Sequence, residues 1–176
     1  MITDYLIVKA DPLQHSGIIT RLASQIWREH YGNLLSGRQI DYMLEKFQSE
    51  PAIMEQMERG GYTYYIIYAN GGGEGRTAVG YMGVKFEDKK LFLSKFYILK
   101  SYRGKGLGRL GFDFLFDLSA EAELQSVWLT VNKGNLDSIA VYEHLGFITV
   151  REQVADIGEG FVIDDYIMEK RLVPYE

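Results

Sequence analysis

The sequence predicts an α/β (α+β) fold in which a mixed, mostly antiparallel sheet of about seven strands is flanked by helices. Three observations predict this fold class. Apolar residues at helical spacing dominate the first 60 residues, three segments rich in aromatic and β-branched residues then follow one another, and helices alternate with strands after residue 100. With 176 residues, of which 47% are hydrophobic, the chain is expected to form a single domain spanning 1–176.

One strand and three helices are expected before residue 60. YLIVKA (5–10) is a short apolar strand. Ser16, Ser36 and Pro51 each stand where an apolar pattern of helical spacing begins, and Ser and Pro are favoured at helix starts. The first third of the chain is therefore predicted to be mainly helical.

A meander of three antiparallel strands is expected next. YTYYIIYA (62–69), TAVGYMGVKF (77–86) and LFLSKFYIL (91–99) have the composition of strands. The segment NGGGEG (70–75) has the glycines of a hairpin loop, and EDKK (87–90) is a polar turn. The third strand leads directly into a glycine-rich stretch.

Helices and strands alternate in the remaining part of the chain. The expected elements are a helix at 107–122, a strand at 127–131, a helix capped by Asn135 or Asp137 and ended by Gly146, and strands at 147–154 and 161–170.

Charge and cysteine content exclude several classes of function. A net charge of −5 argues against a nucleic-acid-binding face, which needs clustered Lys and Arg. Without cysteine there are no disulfides, cysteine nucleophiles or thiolate metal sites. No pair among His15, His30 and His144 has the spacing of metal ligands, so we expect no metal.

No apolar run approaches the roughly 18 residues of a membrane span, and no signal-peptide core is found at the N-terminus. We therefore expect a cytoplasmic protein that binds neither nucleic acid nor membrane.

The stretch SYRGKGLGRLGF matches two glycine templates. Gly106, Gly108 and Gly111 form the dinucleotide fingerprint G-x-G-x-x-G, and Arg103 with the first two glycines forms R-x-x-G-x-G. The fingerprint needs an acidic residue about 20 positions later, at the end of the next strand, to bind a ribose. That strand, VWLTVN, ends in Asn132, which disfavours a nicotinamide cofactor. A P-loop is excluded because no G-K-S/T follows.

An anion site of a general kind is nevertheless expected in this stretch. A strand ends, the glycines allow a ligand to approach the backbone N–H groups, and a helix begins. Arg103, Lys105 and Arg109 add three positive charges within the seven residues 103–109. This concentration of positive charge favours a diphosphate over a single carboxylate.

The same stretch resembles motif A of the GNAT family, the Gcn5-related N-acetyltransferases. The motif signature Q/R-x-x-G-x-G/A is matched by Arg103, Gly106 and Gly108. About 30 residues later, NLDSIAVYEHLGF (135–147) resembles motif B of the family. The residues in step with motif B are Asn135, Ala140, Tyr142, Gly146 and Phe147. The resemblance spans about residues 3–172 and implies the GNAT fold, in which the sheet is splayed after its fourth strand.

The resemblance implies that acetyl-CoA is the co-substrate. Its pyrophosphate would be bound by backbone N–H groups from Arg103 to Arg109, and its pantetheine arm would pair with backbone near Ile98. Asn135 would hydrogen-bond the cofactor, and the Tyr142 hydroxyl would protonate or hydrogen-bond the departing sulfur. The implied cofactor-binding residues are Ile98, Arg103, Gly104, Lys105, Gly106, Leu107, Gly108, Arg109, Asn135 and Tyr142, of which Tyr142 is also catalytic.

The implied reaction is direct transfer of the acetyl group to an amine, without a covalent enzyme intermediate. Members of the family commonly deprotonate the amine through water and a glutamate on the strand before motif A. Here LFLSKFYIL contains no carboxylate, and Ser94 and Lys95 stand in the corresponding places. We therefore expect proton loss through water and backbone carbonyls, with Glu87 or Asp88 as other candidates. The same departure leaves a non-catalytic acyl-CoA-binding module as an alternative.

In this family the N-terminal helices and the last strands build the acceptor site, which indicates Trp27, Tyr31 and Asp164 as substrate residues. Their aromatic and acidic character suits a small cationic amine. The segment 36–59 and the ending DDYIMEKRL resemble bacterial spermidine/spermine N-acetyltransferases, although those enzymes carry a glutamate where Ser94 aligns. A polyamine is therefore the first expectation, a protein or peptide amine is an alternative, and amino acids and antibiotics stay open. Sheet-edge dimers are common in the family, so a homodimer is also compatible with the resemblance.

Overall fold

A computed structural model gives the structure of residues 4–70 and 75–172. Within these residues the chain forms five α-helices and seven β-strands. In chain order the elements are β1 (Tyr5–Lys9), α1 (Pro12–Tyr31), α2 (Gly37–Gln48), α3 (Glu50–Glu58), β2 (Tyr62–Asn70), β3 (Arg76–Glu87), β4 (Lys90–Ile98), α4 (Leu107–Glu121), β5 (Ser126–Asn132), α5 (Leu136–His144), β6 (Ile148–Gly158) and β7 (Phe161–Arg171).

The strands form one mixed sheet in the order β1-β2-β3-β4-β5-β7-β6. The pairing of β4 with β5 is parallel and covers Lys90–Leu93 and Ser126–Leu129, whereas β1–β2, β2–β3, β5–β7 and β6–β7 are antiparallel. The predicted fold class is thereby confirmed. The chain forms two compact units, one of Met1–Lys85 with Lys95–Phe112 and one of Phe86–Ser94 with Asp113–Glu176. The single domain and the splay after the fourth strand stay predictions.

Side-chain caps start the three N-terminal helices. The Asp11 side chain accepts a hydrogen bond from the Gln14 N–H at 3.0 Å, and α1 begins at Pro12. The prediction that Ser16 caps this helix is wrong, because Ser16 lies inside α1, is buried and donates to Glu50 Oε1 at 3.2 Å. Asp11 followed by Pro12 was the stronger signal.

The core of the first unit contains two buried tyrosines whose hydroxyl groups are satisfied by glutamines. Tyr64 of β2 and Tyr81 of β3 stack with their ring centroids 6.5 Å apart. Tyr64 donates to Gln56 Oε1 at 2.7 Å, and Tyr81 donates to Gln48 Oε1 at 3.1 Å. Gly83 pairs with Tyr64 across the strands, and a Cβ there would lie 3.1 Å from the Tyr64 ring. The glycine therefore makes room for the tyrosine.

In the second unit, α4 and α5 pack with the same phenylalanine. The Phe147 ring centroid lies 6.4 Å from that of Phe116 on α4 and 6.0 Å from that of Tyr142 on α5. The apolar core of this unit comes from residues that are 0 to 2% exposed, namely Leu91, Leu115, Val127, Leu129, Phe147 and Met168. The edge strand β6 is mostly exposed.

Most other predicted elements agree with the structure within a few residues. Ser36 caps α2, Asn135 caps α5, and Gly146 has a φ of +91°. The strand predicted at 147–154 extends to Gly158 as β6. Residues 71–74 of the predicted NGGGEG loop lie outside the described residues.

In residues 4–70 and 75–172, no helix combines the length and apolar character that crossing a membrane requires. Over the same two ranges, no group of three or more metal-ligating side chains is placed to hold a metal ion.

Candidate active site

A short turn and a glycine-rich loop connect β4 to α4 in the first unit. A 3₁₀ turn at Lys100–Tyr102 is closed by the Arg103 N–H, which donates to the Lys100 carbonyl at 3.2 Å. At the other end of the loop, Leu107 is buried and begins α4. The loop is therefore fixed at both ends while its middle is exposed.

The middle of the loop presents open backbone. Gly104 and Gly106 have φ values of +72° and +85°, a region that glycine adopts without strain. At Gly104, Gly106 and Gly108, an added Cβ would meet no atom of the described residues within 4 Å, apart from its chain neighbours and its own helix backbone. No described residue accepts a backbone hydrogen bond from Gly104, Lys105 or Gly106, and the Leu107 and Gly108 N–H groups lie in the first turn of α4, where no helical acceptor exists. These groups and the helix dipole fit a diphosphate such as that of acetyl-CoA.

The third glycine of the stretch has a packing role. A Cβ at Gly111 would lie 2.2 Å from the Phe96 ring, and Phe96 also packs on Phe112 with ring centroids 5.3 Å apart. In dinucleotide-binding folds the third fingerprint glycine likewise allows close helix–strand packing. A strand–loop–helix unit with this packing explains why the sequence matched both templates.

The arginine of the R-x-x-G-x-G pattern is bonded within the loop region. Arg103 Nε donates to the Ile98 carbonyl oxygen at 3.0 Å, which ties the loop back to the end of β4. Lys105 Nζ lies 4.9 Å from the Tyr102 ring centroid. Arg109 is exposed in the first turn of α4. The three predicted basic residues thus lie on the loop and its helix start.

An aromatic cluster of the first unit lies beside the 3₁₀ turn. The Trp27 ring centroid is 5.0 Å from that of Tyr31 and 5.6 Å from that of Tyr97 on β4. The Tyr31 and Tyr97 hydroxyl oxygens are 3.1 Å apart and share a hydrogen bond. Glu29 of α1 accepts from the Lys100 N–H at 3.3 Å, which fixes α1 to the turn. The structure therefore brings Trp27 and Tyr31 together and adds Tyr97, which the sequence analysis missed.

Lys95 is a buried lysine on β4. It is 8% exposed, and its Nζ donates to Gln56 Oε1 at 2.8 Å. The same nitrogen lies 5.3 Å from the ring centroids of Tyr62 and Tyr64. Burial lowers the pKa of Lys95 to about 7, so that a large fraction of its side chains is uncharged at neutral pH. The only feature of the sequence that indicated burial of Lys95 was its position in the middle of the apolar and aromatic segment LFLSKFYIL.

Asn135 and Tyr142 belong to the second unit. Asn135 is 7% exposed, and its Oδ1 accepts from the Ser138 N–H at 3.3 Å as the cap of α5. Tyr142 is half-buried near the end of α5, where its carbonyl accepts from the Phe147 N–H at 3.0 Å. The helix cap therefore uses the side-chain oxygen of Asn135.

The acidic pair on β7 has two different environments. Lys133 Nζ donates to Asp164 Oδ1 at 2.7 Å and to Glu152 Oε2 at 2.7 Å, and these two hydrogen bonds raise the pKa of Lys133. Asp165 points to the opposite face because successive side chains of a strand alternate. Burial and the neighbouring Asp164 raise the pKa of Asp165 to about 6. The predicted substrate residue Asp164 is therefore engaged in an ion pair.

A family model confirms the resemblance of the two motifs. The model described as the acetyltransferase (GNAT) family matches residues 15–147. The chain belongs to this family. It is an acetyl-CoA-dependent N-acetyltransferase with acetyl-CoA as its co-substrate, which confirms the expectation for the enzyme class and the cofactor.

Solved GNAT structures share this fold. PaiA N-acetyltransferase from Thermoplasma acidophilum, in complex with coenzyme A, has a TM-score of 0.75 at 18% identity, over 96% of this chain and 99% of that one. A mutant form of the spermidine/spermine N-acetyltransferase SpeG from Vibrio cholerae has a TM-score of 0.65 at 14% identity, over 96% and 94%. A GNAT acetyltransferase from Streptococcus pneumoniae has a TM-score of 0.63 at 22% identity, over 96% and 99%. Identities this low show the fold alone. A search of curated proteins gives no match.

In this GNAT acetyltransferase the predicted site residues divide between the two units. The first unit carries Trp27, Tyr31, Ile98 and the loop 103–109, and the second carries Asn135, Tyr142 and Asp164. Sequence reasoning missed Tyr97 and the environment of Lys95, because both depend on contacts with α1, α3 and β2 that lie far away in sequence.

Proposed function

We propose that this acetyltransferase transfers the acetyl group directly to the primary amine of a small cationic acceptor. The observation that carries the proposal is the open backbone of the glycine loop at the start of α4. The complete absence of cysteine is compatible with direct transfer, because no thiol is present to form an acyl-enzyme. Bound acetyl-CoA supplies the thioester carbonyl that the amine attacks.

The loop residues bind the diphosphate of the co-substrate. Backbone N–H groups from Arg103 to Arg109 donate to its oxygens, and Lys105 and Arg109 add positive charge. Arg103 acts on the same loop through its bond to Ile98, which holds the backbone in position. The backbone near Ile98 pairs with the pantetheine arm, and Asn135 donates from its amide nitrogen because its oxygen caps α5.

Tyr142 acts as the acid for the departing sulfur. A thiolate leaves when the tetrahedral intermediate collapses, and a phenol hydroxyl can donate a proton or a hydrogen bond to it. The position of Tyr142 on α5, with its ring 6.0 Å from that of Phe147, supports this role because the packing limits the directions in which the hydroxyl can point.

The acceptor ammonium loses its proton through ordered water and backbone carbonyls. No carboxylate lies on β4 to serve as a base. Glu87 and Asp88 lie just before the first residue of β4, whereas Ile98, which is proposed to pair with the pantetheine arm, is the last residue of this strand. In addition, Glu87 Oε2 already accepts a hydrogen bond from Trp128 Nε1 at 3.2 Å. These two residues are therefore poor candidates for a base.

The acceptor amine binds at Tyr31 and Tyr97 of the aromatic cluster, whose rings pack on Trp27, itself only 5% exposed. Aromatic faces attract cations, and phenol oxygens accept hydrogen bonds from ammonium groups. The half-buried Tyr31 and Tyr97 lie beside the turn that leads into the loop. The fold shared with the spermidine/spermine enzyme SpeG supports a polyamine as the first acceptor to test. Asp164, the remaining predicted substrate residue, belongs to the second unit and is held in an ion pair with Lys133.

The alternative expected from the sequence, a non-catalytic acyl-CoA-binding module, disagrees with membership of an acetyltransferase family. The observation that favours it is the absence of a carboxylate from β4, because an enzyme of this kind must still remove a proton from its acceptor. Binding of CoA without turnover is the behaviour that this candidate requires.

Thiol release from acetyl-CoA tests the proposal. The purified protein is assayed with spermidine, spermine, aminoglycosides, amino acids and peptides with free N-termini at pH 7 and 8.5, and products are identified by mass spectrometry. We expect selective acetylation of a polyamine. A peptide as the preferred acceptor would overturn the small-amine proposal, and CoA binding with no product from any amine would favour the binding module.

A further inference from the structure

The second unit has a sheet face that neither α4 nor α5 covers. Lys170 of β7 faces these helices, because its Nζ lies 4.7 Å from the Phe116 ring centroid and donates to the Leu145 carbonyl. Neighbouring residues of a strand point to opposite faces, so Glu169 points away from both helices. Trp128 of β5 pairs directly with Glu169 and shares this uncovered face.

A groove with an aromatic floor lies on the uncovered face. We call it the Trp128 groove, and its main lining residues are Glu87, Lys90, Trp128, Arg151, Ile167 and Glu169. The Trp128 ring stacks on Phe92 with centroids 4.1 Å apart and an interplanar angle of 18°, which fixes the indole. The apolar Ile167 also lines the groove. The groove volume of about 410 Å³ lies within the range of small-molecule sites.

The charges of the groove are only partly compensated. Lys90 Nζ and Glu169 Oε1 form an ion pair at 2.9 Å. Glu87 Oε2 accepts from Trp128 Nε1 at 3.2 Å, but an indole N–H is neutral and leaves the carboxylate charge in place. Arg151 is exposed and forms no ion pair with any residue in the described ranges. One negative and one positive group are therefore available to a ligand.

We propose that the Trp128 groove binds a small zwitterion of amino-acid size. Its ammonium contacts Glu87, its carboxylate contacts Arg151, and an apolar or aromatic side chain lies against Trp128. A polyamine fits poorly, because it has no anion for Arg151 and adds positive charge beside Lys90. Inorganic phosphate fits poorly as well, because it would face Glu87 and Glu169. This site consists of residues outside the acetyl-CoA loop and does not rest on the proposed transfer reaction.

Calorimetric titration with three ligands that share a phenyl group and differ in their charged groups tests the proposal. L-phenylalanine carries both charges, phenethylamine only the ammonium and 3-phenylpropionate only the carboxylate. Titrations are made without acetyl-CoA, so that the result is independent of transfer activity. We expect phenylalanine to bind and each singly charged analogue to bind at least ~10-fold more weakly, because each loses a charge-assisted hydrogen bond.

Two variants assign the charges to their residues. Arg151→Gln should bind phenylalanine and phenethylamine with equal affinity, and Glu87→Gln should bind phenylalanine and 3-phenylpropionate equally. Glu87→Gln keeps an oxygen that can accept from Trp128. The control is Arg76→Gln on β3, an exposed arginine of the first unit, which should retain the selectivity of the wild type. The proposal is overturned if the folded wild type binds none of the three ligands or all three equally, or if both groove variants keep the wild-type selectivity.

Discussion

Arg103 donates a hydrogen bond from Nε to the carbonyl oxygen of Ile98 at 3.0 Å. The bond joins the first residue of the R-x-x-G-x-G pattern to the last residue of β4. It therefore sets where the strand ends and where the open glycines begin. Arginine carries an Nε donor in a rigid planar group, and lysine has no equivalent.

Arg103→Lys should weaken acetyl-CoA binding although it preserves the charge. Loss of the bond to Ile98 releases the loop, and we expect the KM for acetyl-CoA to rise about 10-fold, the cost of one charge-assisted hydrogen bond. Steady-state kinetics with varied acetyl-CoA measures this. Arg109→Lys is the matched control and should change the KM little, because it keeps its charge on the first turn of α4. Equal KM values for the wild type and Arg103→Lys would show that charge alone matters at this position.

Gly111→Ala and Gly108→Ala should have opposite effects on stability and binding. Gly111→Ala places a Cβ against the Phe96 ring and should lower the free energy of unfolding by about 1–3 kcal/mol, while the folded protein still binds CoA. Gly108→Ala meets open space and replaces a helical glycine, so it should keep or slightly raise stability yet weaken CoA binding. Thermal unfolding and calorimetry measure both quantities. If the Gly111→Ala variant is stable but does not bind CoA, the ligand contacts Gly111, and the packing role is wrong.

The loop and the two motifs could be predicted from sequence because their signals are local. Gly104, Gly106 and Gly146 adopt the positive φ values for which glycine is used, and the spacing between the motifs leaves room for β5. The start of α1 was misplaced at Ser16 because two residue types that favour a helix start lie within five positions of each other, and Asp11 with Pro12 has the better geometry.

Lys95→Met should stabilise the protein most at low pH. The folded-state pKa of about 7 is below the ordinary value of 10.5, so between these values the unfolded chain binds a proton that the folded protein does not. The free energy of unfolding of the wild type therefore rises with pH across this window. Below pH 7 the destabilisation caused by the buried Lys95 reaches its full value. Each unit between the two pKa values corresponds to about 1.4 kcal/mol of free energy of unfolding. Lys95→Met can therefore raise the free energy of unfolding by at most about 5 kcal/mol.

Denaturant titrations at pH 6 and pH 10 measure this effect. Lys85→Met is the matched control, because Lys85 Nζ lies over the same Tyr62 ring at 5.2 Å but is less buried. If Lys95→Met has the same effect at both pH values, Lys95 is fully charged in the folded protein.

Tyr142→Phe should lower kcat about 100-fold, because acid catalysis by a positioned side chain typically contributes at least this factor. The ring and its contact with Phe147 are retained, so stability and the KM for acetyl-CoA should change little. Stopped-time assays of thiol release give both constants. An unchanged kcat would exclude Tyr142 as the acid.

Contacts between residues distant in sequence could not be predicted. Tyr97, Lys95 and Trp128 stand in ordinary strand patterns, and their special environments arise from α1, α3 and the Glu87 carboxylate respectively. Alternation of apolar and polar residues predicts that a residue lies on a strand. It does not predict which side chains from other elements contact that residue after folding. The sequence therefore predicted the glycine-rich loop between β4 and α4 better than the surroundings of these three strand residues.

Calorimetric titration of CoA into the wild type and Gly106→Val tests the central claim, that the glycine loop binds the diphosphate. Gly106 has a φ of +85° and open space around its Cβ position, so a valine would both strain the backbone and occupy the cradle. Circular dichroism controls for folding. We predict that the wild type binds CoA and that a folded Gly106→Val binds it at least ~100-fold more weakly, since several backbone hydrogen bonds are lost together. Equal affinity in a folded variant would contradict the account and place the diphosphate elsewhere.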